Sequence, residues 1–283
     1  MTVEKSIRIG NQTSFSAIDF MEPFNYAISN GFKTFEWFPD KNEAGSGWVE
    51  SDVDDSLRNY IRETALIHDC QLTVHAPKWA NPFSTDVHQT MADCLRFAND
   101  ISAKLLNIHL HTEKCLENYV NAIAPIILNT SRAGIKLSIE NTPSTTPHDF
   151  NRLFALINGK TDMDTSHVGM CLDVGHANLC HSTHNDYIKY LNLLDAQVPI
   201  IHIHLHENYG DHDSHLTIFT GPSADNDTGI RTLLEILIKR GFSGSMVMEQ
   251  WPEPQALLNQ AYTRLEEILV VLNNHAVFRT RFA

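Results

Sequence analysis

Short runs of β-forming residues alternate with longer amphipathic stretches along this chain, and that alternation restricts its fold more than any other feature. The strand-like runs fall at residues 7–10, 33–38, 71–76, 105–111, 135–141, 168–174, 199–206 and 244–250. Helix-like stretches lie near 19–30, 54–69, 85–103, 114–133, 147–158, 185–195, 226–240 and 254–273. Gly134 and Gly241 stand where helix C-terminal glycines belong, and Ser84 or Thr85 is expected to cap a helix start. Eight strands, each followed by a helix, predict an α/β fold, a single (β/α)8 TIM barrel spanning 1–283 as one domain. A doubly wound open sheet is the alternative. It usually carries a glycine-rich phosphate loop after its first strand, and GNQTSF is not one.

A barrel predicts that chemistry sits at the C-terminal strand ends. Polar residues fall there: Glu36, His75, His109 with His111, Glu140, Asp173, His204 with His206, and Glu249. Alternation gives their direction. In IIHIHLH, His202, His204 and His206 share one parity, and Ile201, Ile203 and Leu205 the other. The outer helices need an apolar surface, so the histidines are predicted to face the lumen. By the same test His109 and His111 oppose Ile108 and Leu110. Glu140 opposes Ile139, Asp173 opposes Leu172, Glu249 opposes Met248, and His75 opposes Val74.

So many unpaired charges in one small space cost several kcal/mol each unless something offsets them. A bound cation does so directly. Mixed carboxylate and imidazole donors suit Mn, Zn, Fe or Co better than Ca or Mg. Two loops extend the set. His176 follows Asp173 by three residues, and the segment after strand seven carries Asp211, His212, Asp213 and His215 between Gly210 and Gly221. Of 16 histidines, nine (75, 109, 111, 176, 202, 204, 206, 212 and 215) are thereby expected around one pocket. Trp37, Phe38, Trp79 and Trp251 are expected to form its aromatic walls.

The order and placement of VHAP around His75, IHLH around His109, SIEN around Glu140, LDVGH from Asp173 to His176, HIHLHEN around His204, DSH from Asp213 to His215 and VMEQ around Glu249 resemble the xylose isomerase-like TIM barrels. That superfamily includes sugar-phosphate isomerases and epimerases, ketose 3-epimerases, inosose dehydratases and endonuclease IV. The resemblance covers nearly the whole chain. It implies one divalent metal held by Glu140, Asp173, His204 and Glu249, with His176 touching substrate. It also implies positions for up to two further metals, as in the endonucleases, at His75, His109, His176, Asp213 and His215. Departures are Asn178, Leu179 and Cys180 after the Asp173 motif, Glu207 where many relatives have Asp, and Phe219 where a Gly-x-Gly usually begins.

The first functional expectation is a metal-dependent isomerase or epimerase of a sugar or sugar phosphate. Glu140 and Glu249 act as the acid/base pair through an enediolate, and His176 orients a hydroxyl. The second is a multi-metal phosphodiesterase of the endonuclease IV kind; the others are a lyase or dehydratase and a metal-stabilised binding scaffold. The formal charge of −13 argues against a nucleic-acid partner, as does a rim where Lys41 and Lys78 stand among Asp40, Glu43, Asp86 and Glu253. A cytoplasmic location is expected. The first residues carry Glu4, Lys5 and Arg8 without a signal-peptide core, and no apolar run reaches the roughly 20 residues of a membrane span. The five cysteines form no CxxC pair. The terminal NNHAVFRTRFA, with Phe278 and Phe282, is expected to dock on the barrel or on a partner.

Overall fold

Residues that alternate between apolar and polar form parallel strands whose two faces meet different surroundings. The structure, a computed structural model, describes residues 7–41 and 45–281, with side chains through residue 274. The strands are β1 (Arg8–Gln12), β2 (Thr34–Trp37), β3 (Gln71–His75), β4 (Leu105–His109), β5 (Lys136–Glu140), β6 (Val168–Asp173), β7 (Ile200–Leu205) and β8 (Ser245–Met248). Each pairs in parallel with its neighbours in sequence, and β8 pairs with β1, so the sheet closes into the expected (β/α)8 barrel. Closure needs close backbone approach at one seam. A Cβ added at Gly10 of β1 would lie 1.7 Å from the Thr34 carbonyl oxygen of β2.

The outward parity is apolar except at Asn11 of β1, the register partner of Phe35 and Met248. Phe35, Trp37, Leu72, Val74, Leu106, Ile108, Leu137, Ile139, Met170, Leu172, Ile203, Leu205, Met246 and Met248 are buried under the helices. The helices are α1 (Glu22–Ser29), α2 (Asp55–Ile67), α3 (Val87–Asp100), α4 (Leu116–Ala133), α5 (Pro147–Asn158), α6 (Val174–Leu179), α7 (Tyr187–Leu193), α8 (Thr228–Lys239) and α9 (Ala256–Arg281). Their buried residues recur at helical spacing, as with Phe150, Leu153, Phe154 and Ile157 on α5 and Ile230, Leu233, Leu234 and Leu237 on α8.

Gly134 ends α4 in the left-handed conformation, and Gly241 has the same positive φ after α8. The expected cap by Ser84 or Thr85 is not formed. Asp86 occupies the N-cap of α3 and makes no side-chain capping bond. The helix expected at 185–195 is the seven-residue α7, and an additional six-residue helix, α6, follows β6 directly. Asp173 explains the early start, because its carboxylate caps α6 by accepting from the His176 N–H at 2.7 Å. Trp37 is corrected as well. Its parity is opposite to Glu36, and it packs outward against Phe24, Phe35 and Trp48. All five cysteines are free. No helix among the described residues is long and apolar enough to cross a membrane. Glu43 and Phe282 lie outside the described residues, as does the Phe278 side chain, so their expected roles have no structural counterpart.

Candidate metal centre

The inward parity converges at the C-terminal end of the barrel. Register places His109 beside Glu140, Glu140 beside Cys171, and Asp173 beside His204 on neighbouring strands. At the centre stands the His204 ring, wholly buried. Its Nε2 lies 2.7 Å from Glu36 Oε1. Its Nδ1 faces Glu249 Oε1 at 3.1 Å, Glu140 Oε2 at 3.2 Å and Asp173 Oδ2 at 4.0 Å. These approaches miss hydrogen-bond geometry, and Nδ1 has no hydrogen-bond partner. With the Nε2 proton directed at Glu36, Nδ1 presents a lone pair to three oxygens that also present lone pairs. A proton on Nδ1 or a metal ion resolves this arrangement: burial lowers the His204 pKa, but the surrounding negative groups outweigh it and hold that pKa well above its ordinary value. Two or three carboxylates with one imidazole are also a borderline divalent ion's donor set. The residues therefore fit the metal that the sequence implies.

Two further groups flank this centre. On one side His75 Nε2 lies 3.0 Å from Glu140 Oε2 and His109 Nε2 lies 3.4 Å from Glu140 Oε1. Asn107 donates to Glu140 and accepts from Ser138 at 2.6 Å, which fixes the carboxylate. On the other side Asp213 Oδ2 lies 3.2 Å from both His176 Nε2 and His215 Nε2. The His176 ring is also held by the Asn141 carbonyl at 2.8 Å. His206 Nε2 reaches Asp173 at 3.1 Å, and its ring stacks on His215 with centroids 4.0 Å apart. The trios His75/His109/Glu140, Asp173/His176/His206 and His206/Asp213/His215 each bring their ligand atoms within 4.8 Å of one another.

The electrostatics follow from this crowding. Burial pushes Glu36 and Glu140 up, but imidazoles outweigh it and hold both carboxyls well below the usual range. Glu249 is the exception. Burial raises it, and with Asp173 and Glu140 it outweighs the lowering by His204 and His215. Burial lowers His215, yet Asp213 and Glu249 carry it up to about 9.

Every residue read as a site residue reaches this region: Glu140, Asp173, His204, Glu249, His176, His75, His109, Asp213 and His215. Two of the nine pocket histidines do not. β4 ends at His109, alternation lapses there, and His111 turns to Glu113 at 3.5 Å. His212 is exposed and pairs with Asp211 at 3.2 Å. Supporting residues without an assigned role in the sequence also emerge: Glu36 and His206 by parity, and Asn107 and Asn141 with no sequence signal beyond their adjacency to β4 and β5 ligands.

His75, His109, Glu140, His176, Asp213 and His215 line a space of about 280 Å³ that also meets Phe38 and Lys78. It adjoins a cavity of about 460 Å³ whose walls include Phe15, Phe38, Trp48 and Trp251. Trp79 is mostly exposed and donates to Asp40 at 3.2 Å. Lys78 lines both spaces, whereas Lys41 is engaged by Asp52 at 2.7 Å.

A closed eight-stranded barrel with imidazoles and carboxylates gathered at its C-terminal mouth defines a broad class of α/β barrel proteins. Within it, this chain belongs to the xylose isomerase-like TIM barrel family, whose sequence profile matches residues 24–268. The uncharacterized protein MJ1311 of Methanocaldococcus jannaschii is 25% identical over 236 residues, covering 76% of this chain and 75% of that one. Among solved structures, a D-tagatose 3-epimerase-like protein superposes with a TM-score of 0.72 at 20% identity, covering 95% of this chain and 100% of that one. A Thermus thermophilus protein, TTHB071, from a zinc chloride soak, gives 0.64 at 20% identity, with 92% and 99% covered. At these identities the structural likenesses establish the fold.

Proposed function

We propose that the chain is a divalent-metal-dependent isomerase or epimerase of a small sugar or sugar phosphate. The observation that carries this reading is the bare Nδ1 of His204, ringed by Glu140, Asp173 and Glu249 beside a cavity of sugar-like size. Those four residues hold the ion, of Mn, Zn, Co or Fe type. When bound, the ion supplies Lewis-acid polarisation of a carbonyl and its neighbouring hydroxyl. Glu140 and Glu249, from β5 and the end of β8, take a proton from carbon and return it, so the substrate passes through an enediolate. His176, fixed by the Asn141 carbonyl and Asp213, orients a substrate hydroxyl. Aromatic walls at Phe38 and Trp251 suit the apolar face of a sugar. The resemblance to a D-tagatose 3-epimerase-like protein supports the same choice. Incubation with ketoses and aldoses in deuterated water tests it. Deuterium entering a substrate C–H supports the reading, and a panel left unconverted by the metal-loaded chain overturns it.

A second reading, multi-metal phosphodiester hydrolysis, is favoured by the three flanking trios, which supply donors for additional ions. The mouth argues for the sugar instead, since Lys78 is the one basic side chain lining the cavity among its described residues. Three ions per chain by elemental analysis, together with incision of a duplex containing an abasic site, would reverse the order.

A further inference from the structure

One layer beneath the carboxylates, β6 and β7 place a thiol beside two imidazoles. Cys171 and His202 are register partners, and Cys171, His202 and His204 are all wholly buried. The Cys171 sulfur and one ring nitrogen from each histidine lie within 4.8 Å of one another. Glu36 engages Nε2 of both rings, at 2.8 Å from His202 and 2.7 Å from His204. That leaves Nδ1 as the free nitrogen in each ring, and neither Nδ1 has a hydrogen-bond partner. Glu36 is itself satisfied, since it also accepts from Thr73 Oγ1 at 2.8 Å. A buried thiol within 4.8 Å of one ring nitrogen from each of two buried imidazoles is a donor set for a soft or borderline ion, with thiolate favouring zinc-like metals over hard ones.

We infer that Cys171, His202 and His204 form an inner, thiophilic cation site beneath the carboxylate-ringed centre, which takes zinc, cadmium or cobalt(II) in preference to manganese or magnesium. The ion displaces the thiol proton, which leaves to bulk solvent, and no other bond changes. Because His204 offers one free nitrogen, the inner and outer sets are alternative homes for an ion that uses it. The inference rests on the proposed function only through that shared imidazole.

Cobalt(II) alone, added to the chelator-stripped full chain, tests it. The expected spectrum has weak visible bands and an intense near-ultraviolet thiolate-to-cobalt charge-transfer band. Cys171→Ser should lose the near-ultraviolet band and keep the visible ones. Cys115→Ser, at the exposed cysteine, should keep both. Visible bands without charge transfer in the wild type, or a charge-transfer band surviving in Cys171→Ser, overturn the inner site and leave the proposed function standing. No cobalt bands at all overturn both. Should Cys171→Ser fail to fold, zinc-edge X-ray absorption of the wild type reads the ligand directly. A sulfur neighbour at about 2.3 Å supports the site, and a shell of nitrogen and oxygen alone overturns it.

Discussion

His204 is held at one end of its ring, where Nε2 lies 2.7 Å from Glu36 Oε1, while its Nδ1 faces Glu249 Oε1 at 3.1 Å without a hydrogen bond. The first contact fixes the tautomer and the ring plane, and thereby aims the second nitrogen at the carboxylates. Glu36 does this for two rings at once, because its other oxygen meets His202 Nε2. In Glu36→Gln one oxygen becomes an NH2 group, and a donor then faces a donor. Metal affinity should fall by about 10–100-fold, the usual effect of losing such an outer partner. Calorimetric titration of manganese or zinc into wild type and variant reads it. Equal affinities would remove Glu36 from the metal centre's support.

Glu140 and Glu249 are proposed to move the proton, and each also contributes an oxygen to the ring around His204 Nδ1. Glu140→Gln and Glu249→Gln preserve size while removing the base. Each should lower turnover by at least the roughly 10²–10⁴-fold typical of a general acid–base group. Metal content measured on the same samples separates lost chemistry from lost metal. A variant that retains both metal and turnover would exclude that carboxylate from proton transfer.

The barrel was legible because its strands obey one rule on the outer face almost everywhere: Leu137, Ile139, Met170, Leu172, Ile203 and Leu205 are all buried, and Asn11 of β1 is the exception. The same parity placed Glu140, Asp173, His204 and Glu249 in the lumen. It failed where the backbone stops being a strand. β4 ends at His109, so His111 escapes the alternation that applies two residues earlier. Trp37 shows the opposite error, in which nearness to a strand end outweighed parity. His206 lies just past β7 and still points inward, because the buried Asp173 carboxylate and the His215 ring receive it. Asn107 and Asn141 were not legible, since an amide that donates to the Glu140 carboxylate, or one that pairs with the Asp173 backbone, differs from any other amide only through its three-dimensional partners. The loop departure at Phe219 has a physical account. The residue adopts φ +66°, normally a glycine conformation, and its ring is covered by the Arg264 guanidinium at 4.2 Å.

Gly175 bears directly on the site. A Cβ added there would lie 1.9 Å from His206 Cε1. The ring cannot simply swing aside, because it is buried, bonded to Asp173 and stacked on His215. Gly175→Ala should therefore destabilise the chain by about 1–3 kcal/mol, the usual cost of overpacking. It should also weaken metal binding through Asp173. Thermal melts with and without metal measure both effects, and an unchanged Tm would mean that the loop after β7 yields more easily than its packing implies.

His167 gives a pH test away from the metal centre. It precedes β6, and its Nε2 lies 3.0 Å from Thr130 Oγ1. Burial lowers its pKa below the ordinary 6.5, with Asp164 opposing less strongly. In the unfolded chain this imidazole takes up a proton as pH falls through about 6.5, whereas in the folded chain it resists until a lower pH. The unfolded state then binds more protons, so this residue's contribution to stability is intact above that pH and declines below it. His167→Gln removes the titration. Comparison with the wild type cancels the contributions of the other histidines and the carboxylates. The wild-type Tm minus the variant Tm should be constant from pH 7 to 8 and should fall as the pH is lowered from 7 to 5. A difference independent of pH would show that His167 carries the same pKa folded and unfolded.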